Sequence, residues 1–199
     1  MSRFVIVRHG NTFEAGELPR RIGARTDLPL TAAGRAQAEA LGRHLATRDL
    51  QFTRVLSGPL TRARDTARLL LPHLETRPPV ETASFLNEVD HGPDENQPED
   101  AVLARVGAEA LRRWDEEGFA PAGWQVDREM RLAAWRQLFA ETPASGEILL
   151  VTSNGAARFA LIAAGLARGG LKLRTGAWGI IEAGRDGVLR LVEWDRRPE

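Results

Sequence analysis

Residues 8–12 read RHGNT and follow directly on the apolar run FVIV at 4–7. A cation and a titratable imidazole thus stand side by side where a buried strand should end. Arg8 opposes protonation of His9 and so favours the neutral ring. A neutral imidazole nitrogen is a nucleophile, and the same guanidinium would hold an anionic substrate against it. Gly10, next in line, permits a close backbone approach. A single histidine is often just a packed or surface residue; the position of this one points to covalent chemistry on an anion.

Two other segments carry comparable chemistry. In SGPLTRAR (57–64), Arg62 falls in the first turn of a helix that starts at a strand end, where backbone N–H groups also favour anions. Arg64 lies two positions on, about 200° around the helix, and reads as a solvated arginine. VTSNG (151–155) places Ser153 and Asn154 between a strand and a small-residue helix. Between these segments, the loop LNEVDHGPDENQP (86–98) gathers Glu88, Asp90, His91, Asp94 and Glu95. Most carboxylates in such a loop are solvated. Their spacing does not follow a calcium loop, and no metal is expected.

The elements that must position these residues alternate. FVIV, RVLSG (54–58), the stretch around VETASF (80–85) and GEILLVTS (146–153) read as strands. A helix opens at Leu30–Thr31, with Thr31 as its N-cap and Ala38, Leu41 and Leu45 as its apolar stripe. A second helix starts at Pro59 and ends near Leu71. Others are expected over Pro98–Glu117, Asp127–Glu141 and 154–166. WGIIEA and VLRLVEW, joined by GRDG, form a terminal hairpin. This order predicts an α/β three-layer sandwich, a mostly parallel central sheet with helices on both faces. It is read as one domain over 1–199 with a helical insertion at about 98–142. Sites in such folds form at the carboxyl ends of strands, where RHGNT, SGPLTRAR and VTSNG all lie.

Composition narrows the chemistry. The 199 residues include 27 basic and 27 acidic side chains, so the overall balance does not suggest nucleic acid or an anionic membrane as partner. The absence of cysteine excludes thiolate catalysis, disulfides and cysteine metal sites. No apolar run is long enough to span a bilayer, and the N-terminus lacks a signal-peptide layout. A soluble, cytoplasmic protein is expected. Lys172 is the only lysine, so arginine is the default surface cation here. Arg20, Arg21 and Arg25 could meet a second anionic group, but solvated loop charges are the favoured reading. Trp114, Trp124 and Trp135 are expected in the core or at an interface of the helical insertion.

RHGNT, then LTAAGRAQA (30–38), then SGPLTRARDTA (57–67) together resemble the histidine phosphatase superfamily, which includes the cofactor-dependent phosphoglycerate mutases and many small phosphatases. The resemblance implies a phosphoglycerate mutase-like sandwich. It implies His9 as phosphate acceptor through a phosphohistidine, Arg8 and Arg62 as phosphoryl clamps, and Glu88 as the acid that protonates the leaving group. No cofactor is implied. Asn11 and Thr12 read as polar lining.

One departure stands out. The family's strand equivalent to ILLVTS ends in a second histidine; here Ser153 occupies that place, followed by Asn154. Ser153, Asn154 and the amides opening the next helix could bind phosphate as neutral donors. His91, three residues after Glu88, is the histidine able to reach the pocket; His44 and His73 read as structural or exposed. The expected function is a phosphomonoesterase acting on a small phosphorylated metabolite. The alternative is a catalytically weak protein that binds a phosphorylated ligand or regulates a partner. A mutase is less favoured: Val89 follows Glu88 where those mutases carry arginine, and the chain stops soon after its last strand. The pocket wall is expected from 13–29 and 86–142. Oligomeric state is open, with a homodimer through Ile180, Ile181 and the terminal hairpin as one option.

Overall fold

FVIV is apolar at every position because it is covered on both sides. It belongs to β1 (Ser2–Arg8), which lies inside a six-stranded sheet of order β3-β2-β4-β1-β5-β6. The computed structural model describes residues 1–142, 146–167 and 170–198. β2 (Phe52–Ser57), β3 (Val80–Thr82) and β4 (Glu147–Thr152) run parallel with β1, whereas β5 (Trp178–Ala183) and β6 (Leu189–Arg196) form the antiparallel hairpin. Val5 and Val7 pack on one face with Leu41, Leu45, Ala63, Ala67 and Leu70. Phe4 and Ile6 pack on the other with Trp135, Phe159 and Ile148. Two cores separated by a sheet make three layers, the α/β arrangement expected.

The first layer is α1 (Ala32–Ala46) with α2 (Thr61–Leu70); the second holds α3 (Glu99–Val106), α4 (Ala108–Glu117), α5 (Arg128–Glu141) and α6 (Asn154–Ala163). The single helix expected over 98–117 is two. Gly107, at φ 81 and ψ 157, breaks it in a region that favours glycine. The second helix begins at Thr61 rather than Pro59, with Leu60 as its N-cap. Within 98–142, α5 lies directly on the sheet: the Phe139 ring meets Phe4 edge-on at 4.8 Å.

Ile180 and Ile181 are buried, 4% and 0% exposed, inside a strand flanked by β1 and β6. These two residues therefore lie inside the sheet and not at its edge. The free edge on that side is β6, where Leu191 and Val192 are exposed. Among the described residues no helix is long and apolar enough to cross a membrane.

Register brings the three chemical segments together. Val7 and Ser57 both pair with Val151. The His9 N–H donates to the Thr152 carbonyl at 3.0 Å, and the Gly58 N–H to that of Val151 at 2.9 Å. The LTAAGRAQA motif then locks onto RHGNT. The Thr31 hydroxyl caps α1 by accepting from the Gly34 N–H at 3.0 Å. Its own N–H donates to the Asn11 carbonyl at 3.0 Å. The Gln37 amide oxygen accepts from the Asn11 N–H at 2.9 Å. A Cβ on Gly10 would overlap the Gly34 carbonyl, and one on Gly34 would overlap that of Asn11. The close approach foreseen at Gly10 is therefore made by helix α1.

Candidate active site

His9 is 3% exposed at the end of β1. Its Nδ1 lies 2.8 Å from the Gly10 carbonyl oxygen. That oxygen can only accept, so Nδ1 carries the proton and Nε2 keeps its lone pair. Burial holds the imidazole well below its usual range, reinforced by Arg62 and then Arg8 against the bond to Gly10. The expected neutral ring is thus present, but the remote arginine weighs more than the adjacent one. Thr66 fixes the turn: its hydroxyl accepts from the Gly10 N–H at 3.3 Å and donates to the Arg62 carbonyl at 2.8 Å.

Arg8 donates from Nη1 to the Leu173 carbonyl at 2.9 Å. Burial lowers its guanidinium to about 10, Glu88 opposing and Arg62 and Arg197 assisting; it remains a cation at neutral pH. Arg62 is fully buried in the first turn of α2. It donates from Nη1 to the Thr26 carbonyl at 2.6 Å and from Nη2 to that of Gly23 at 3.1 Å. Arg64 is exposed, as its helical phase required.

Glu88 is 6% exposed. Oε1 accepts from the Val89 N–H at 2.9 Å, and Oε2 from the Gly155 N–H at 3.2 Å. Burial pushes its carboxyl up. The electrostatic influence of His91, the Val89 N–H, Arg62 and the Gly155 N–H outweigh that and hold it below the usual carboxylate range. Of the amides that open α6, that of Gly155 bonds Glu88. A Cβ on Gly155 would overlap the Glu88 carboxylate, so the glycine of VTSNG is required by the glutamate.

Sequence reasoning missed Arg131, which is 5% exposed on α5. It donates to the carbonyls of Val126 at 2.7 Å, Phe85 at 2.9 Å and Asn87 at 2.6 Å, and so shapes the turn that carries Glu88. With 27 basic residues, all arginine but Lys172, nothing in its local pattern distinguished it. Two carboxylates expected in solvent are instead bonded inside. Asp94 accepts from Arg105 and from the Trp124 indole at 2.6 Å. Glu95 accepts from the Gly23, Arg25 and His91 N–H groups and the Thr26 hydroxyl.

A cavity of about 840 Å³ opens over these residues. Its lining brings together Arg8, His9, Asn11, Thr12, Glu88, His91 and Asn154. Arg62 and Ser153 sit behind that surface, at 0% and 1% exposed. The Asn154 amide oxygen accepts from the Leu173 N–H at 2.8 Å. Leu173 thereby joins Asn154 to Arg8, and residues 172–175 form a wall that no sequence signal indicated. The Thr175 hydroxyl on this wall donates to the Asn11 amide oxygen at 2.5 Å. The 13–22 stretch and Trp114 supply wall where expected. Arg20 and Arg21 line it, but they pair with Glu17 and Glu99. Arg25 turns to Asp90 at 3.0 Å and stays out of the lining. His44 packs near Trp178, centroids 5.4 Å apart, away from the site. Among the described residues no group of three or more acidic or histidine side chains is placed to hold a metal ion.

Comparisons with known proteins converge. The family model described as histidine phosphatase superfamily (branch 1) matches residues 4–194. A 2,3-bisphosphoglycerate-dependent phosphoglycerate mutase 2 from Gloeobacter violaceus is 31% identical over 161 residues, 78% of this chain and 71% of that protein. A solved mycobacterial glucosyl-3-phosphoglycerate phosphatase with VO3 superposes at TM-score 0.77 with 27% identity, over 97% of this chain and 98% of its own. The α-ribazole phosphatase of Shigella flexneri gives 0.72 and 27%, over 98% and 96%.

Proposed function

Because the chain belongs to the histidine phosphatase superfamily, branch 1, we propose that it is a phosphomonoesterase that forms a phosphohistidine at His9 while hydrolysing a small phosphorylated metabolite. The observation that carries this reading is the buried, neutral His9, its Nδ1 tied to Gly10, on the same cavity as Arg8 and Glu88. Nε2 attacks phosphorus in line as the ester O–P bond breaks. Arg8, with Arg62 behind it, offsets the charge on the phosphoryl oxygens. Glu88 protonates the departing oxygen, then takes a proton from the water that hydrolyses the phosphohistidine. In the free protein Glu88 is the carboxylate that the second step needs. The incoming phosphoryl charge raises its proton affinity for the first step.

Val89, where an arginine follows the glutamate in the mutases, favours hydrolysis over transfer between substrate positions. Phosphate release from 4-nitrophenyl phosphate and from alkyl monophosphates tests the reading. The pH dependence is part of the test. A histidine nucleophile of ordinary pKa, about 6.5, loses activity below that value. With His9 held lower, kcat/KM for 4-nitrophenyl phosphate should persist to well below pH 6. An acid limb at the ordinary histidine value would contradict a buried neutral His9.

A second reading, a weak enzyme that chiefly binds a phosphorylated ligand, is favoured only by Ser153. Ser153→His discriminates. Ser153 is 1% exposed and two residues before the glycine on which Glu88 rests, so the larger ring should displace Glu88 and lower kcat/KM at least about tenfold. A tenfold or greater gain would instead show that serine leaves the site impaired.

A further inference from the structure

We propose that Lys172 and Arg197 form a second anion subsite on the cavity wall beside His9, so that the substrate is a phosphomonoester carrying a further carboxylate or phosphate group away from the ester. This deepens the phosphomonoesterase reading and rests on it.

The wall that bears them runs alongside His9. The Gly176 N–H donates to the His9 carbonyl at 3.0 Å, and the Arg8 N–H to that of Ala177 at 3.0 Å. Arg8 Nη1 donates to the Leu173 carbonyl at 2.9 Å, and the Leu173 N–H donates to the Asn154 amide oxygen at 2.8 Å. Leu173 is buried, whereas Lys172 and Arg174 on either side of it are exposed and line the cavity.

The end of β6 is fastened to the same wall. Asp195 takes the left-handed backbone at φ 55. Its carboxylate accepts from the Arg174 N–H and Nε, each at 2.6 Å, and its carbonyl from Arg174 Nη2 at 2.8 Å. Two residues on, Arg197 lines the cavity. Its Nε donates to the Thr175 carbonyl at 3.1 Å and its Nη2 to the Thr175 hydroxyl at 3.4 Å. Thr175 directly precedes the glycine bonded to His9, and its hydroxyl bonds Asn11. Arg197 is close enough to Arg8 to act against that guanidinium's charge.

The other cations of the cavity are already engaged. Arg20 and Arg21 pair with Glu17 and Glu99, and Arg174 pairs with Asp195. Arg8 serves the ester phosphate in the proposed reaction. The Lys172 ammonium has no partner among the described residues, and Arg197 bonds only the neutral groups of Thr175. Both retain unused donors, the ammonium N–H groups of one and Nη1 of the other. The carboxylates that line the cavity, Glu14, Glu17, Glu88, Glu99 and Asp115, all come from other segments. Cations gathered on one side of a concave surface draw an anion to it. The cavity, about 840 Å³, has room for one well beyond the ester phosphate, since sites of about 300–1,000 Å³ take drug-sized ligands.

The test uses esters that differ only at the far end: ω-hydroxyalkyl phosphates, ω-carboxyalkyl phosphates and α,ω-alkane bisphosphates, each with butyl and octyl chains. For at least one chain length, a charged end should raise kcat/KM about tenfold over the hydroxyl end. The gain should lie in KM and shrink as salt is added. Whichever of carboxylate and phosphate gains more identifies the group. Lys172→Met keeps the stem and removes the charge; Arg197→Gln does likewise on the other side. Each should cut the preference about threefold, and the double variant should abolish it. Both side chains are exposed, so the core is untouched. A wild type indifferent to the far end, or a preference that survives in the double variant, overturns the subsite. If none of the esters is hydrolysed, the phosphomonoesterase reading fails by itself. Titration calorimetry with the same compounds then decides the subsite: tighter binding of a charged end, lost in the double variant, upholds it, and equal binding of all three ends overturns it.

Discussion

His9→Ala should abolish turnover of 4-nitrophenyl phosphate, with a loss on the order of 10⁵-fold or more, as expected when a covalent nucleophile is removed. Acid-labile, base-stable phosphate trapped on the wild-type protein should be missing from the variant. Folding should survive. The lost side chain makes one backbone hydrogen bond, to Gly10, while the Thr152 bond of residue 9 is made by its backbone. The variant should also resist acid better. A buried imidazole held well below its usual value stabilises the fold above about pH 6.5, and that contribution is lost as pH falls through the lowered value. Alanine cannot be protonated, so the acid unfolding midpoint should move to lower pH. Residual hydrolysis within tenfold of wild type would show that another group attacks phosphorus.

Arg62→Ala should be the most damaging substitution for activity and stability together. The guanidinium is 0% exposed. Its loss leaves the Thr26 carbonyl without its donor and the Gly23 carbonyl with only the long Thr26 N–H contact at 3.4 Å, and an unsatisfied buried group costs about 1–3 kcal/mol. It also removes the largest electrostatic influence on His9 and one of those on Glu88. Thermal denaturation should show a fall of several degrees, and kcat/KM should drop about 10³-fold. The His9 ring should titrate at higher pH, because the charge opposing its protonation is gone. Arg62→Lys keeps a charge but cannot span two carbonyls in a fixed fork. It should restore part of the activity and little of the stability. A stable Arg62→Ala protein with near-normal activity would exclude Arg62 from both roles.

The legible parts of this protein were those written in periodicity and local chemistry. FVIV and ILLV announced strands buried on two faces, and Thr31 announced a helix start that the structure caps as expected. RHGNT and Arg62 were readable because a strand end and a helix start confine them. What stayed hidden depends on contacts distant in sequence. Arg131 reaches back across more than forty positions to the carbonyls of 85–87, and an arginine in an arginine-rich chain carries no mark of such a task. The 172–175 wall is set by carbonyl and amide groups of Leu173, which no side-chain pattern encodes. Asp94 and Glu95 looked like loop charges because the donors that bury them lie elsewhere: Arg105 and Trp124 for one, residues 23–26 for the other.

The interlocked glycines at 10 and 34 have a bearing on how this protein breathes. The Gly34 backbone occupies the space that a side chain on Gly10 would need, and the Asn11 backbone the space that one on Gly34 would need, and Thr31 and Gln37 bond the same turn. The strand end at His9 therefore has no loose hinge of its own. Local opening that frees His9 must first lift the start of α1 from the sheet, and α1 carries Leu41 and Leu45 in the core. The turn at His9 and that helix thus form one cooperative unit. His9, on the cavity that the 13–22 stretch also lines, therefore opens only together with that helix.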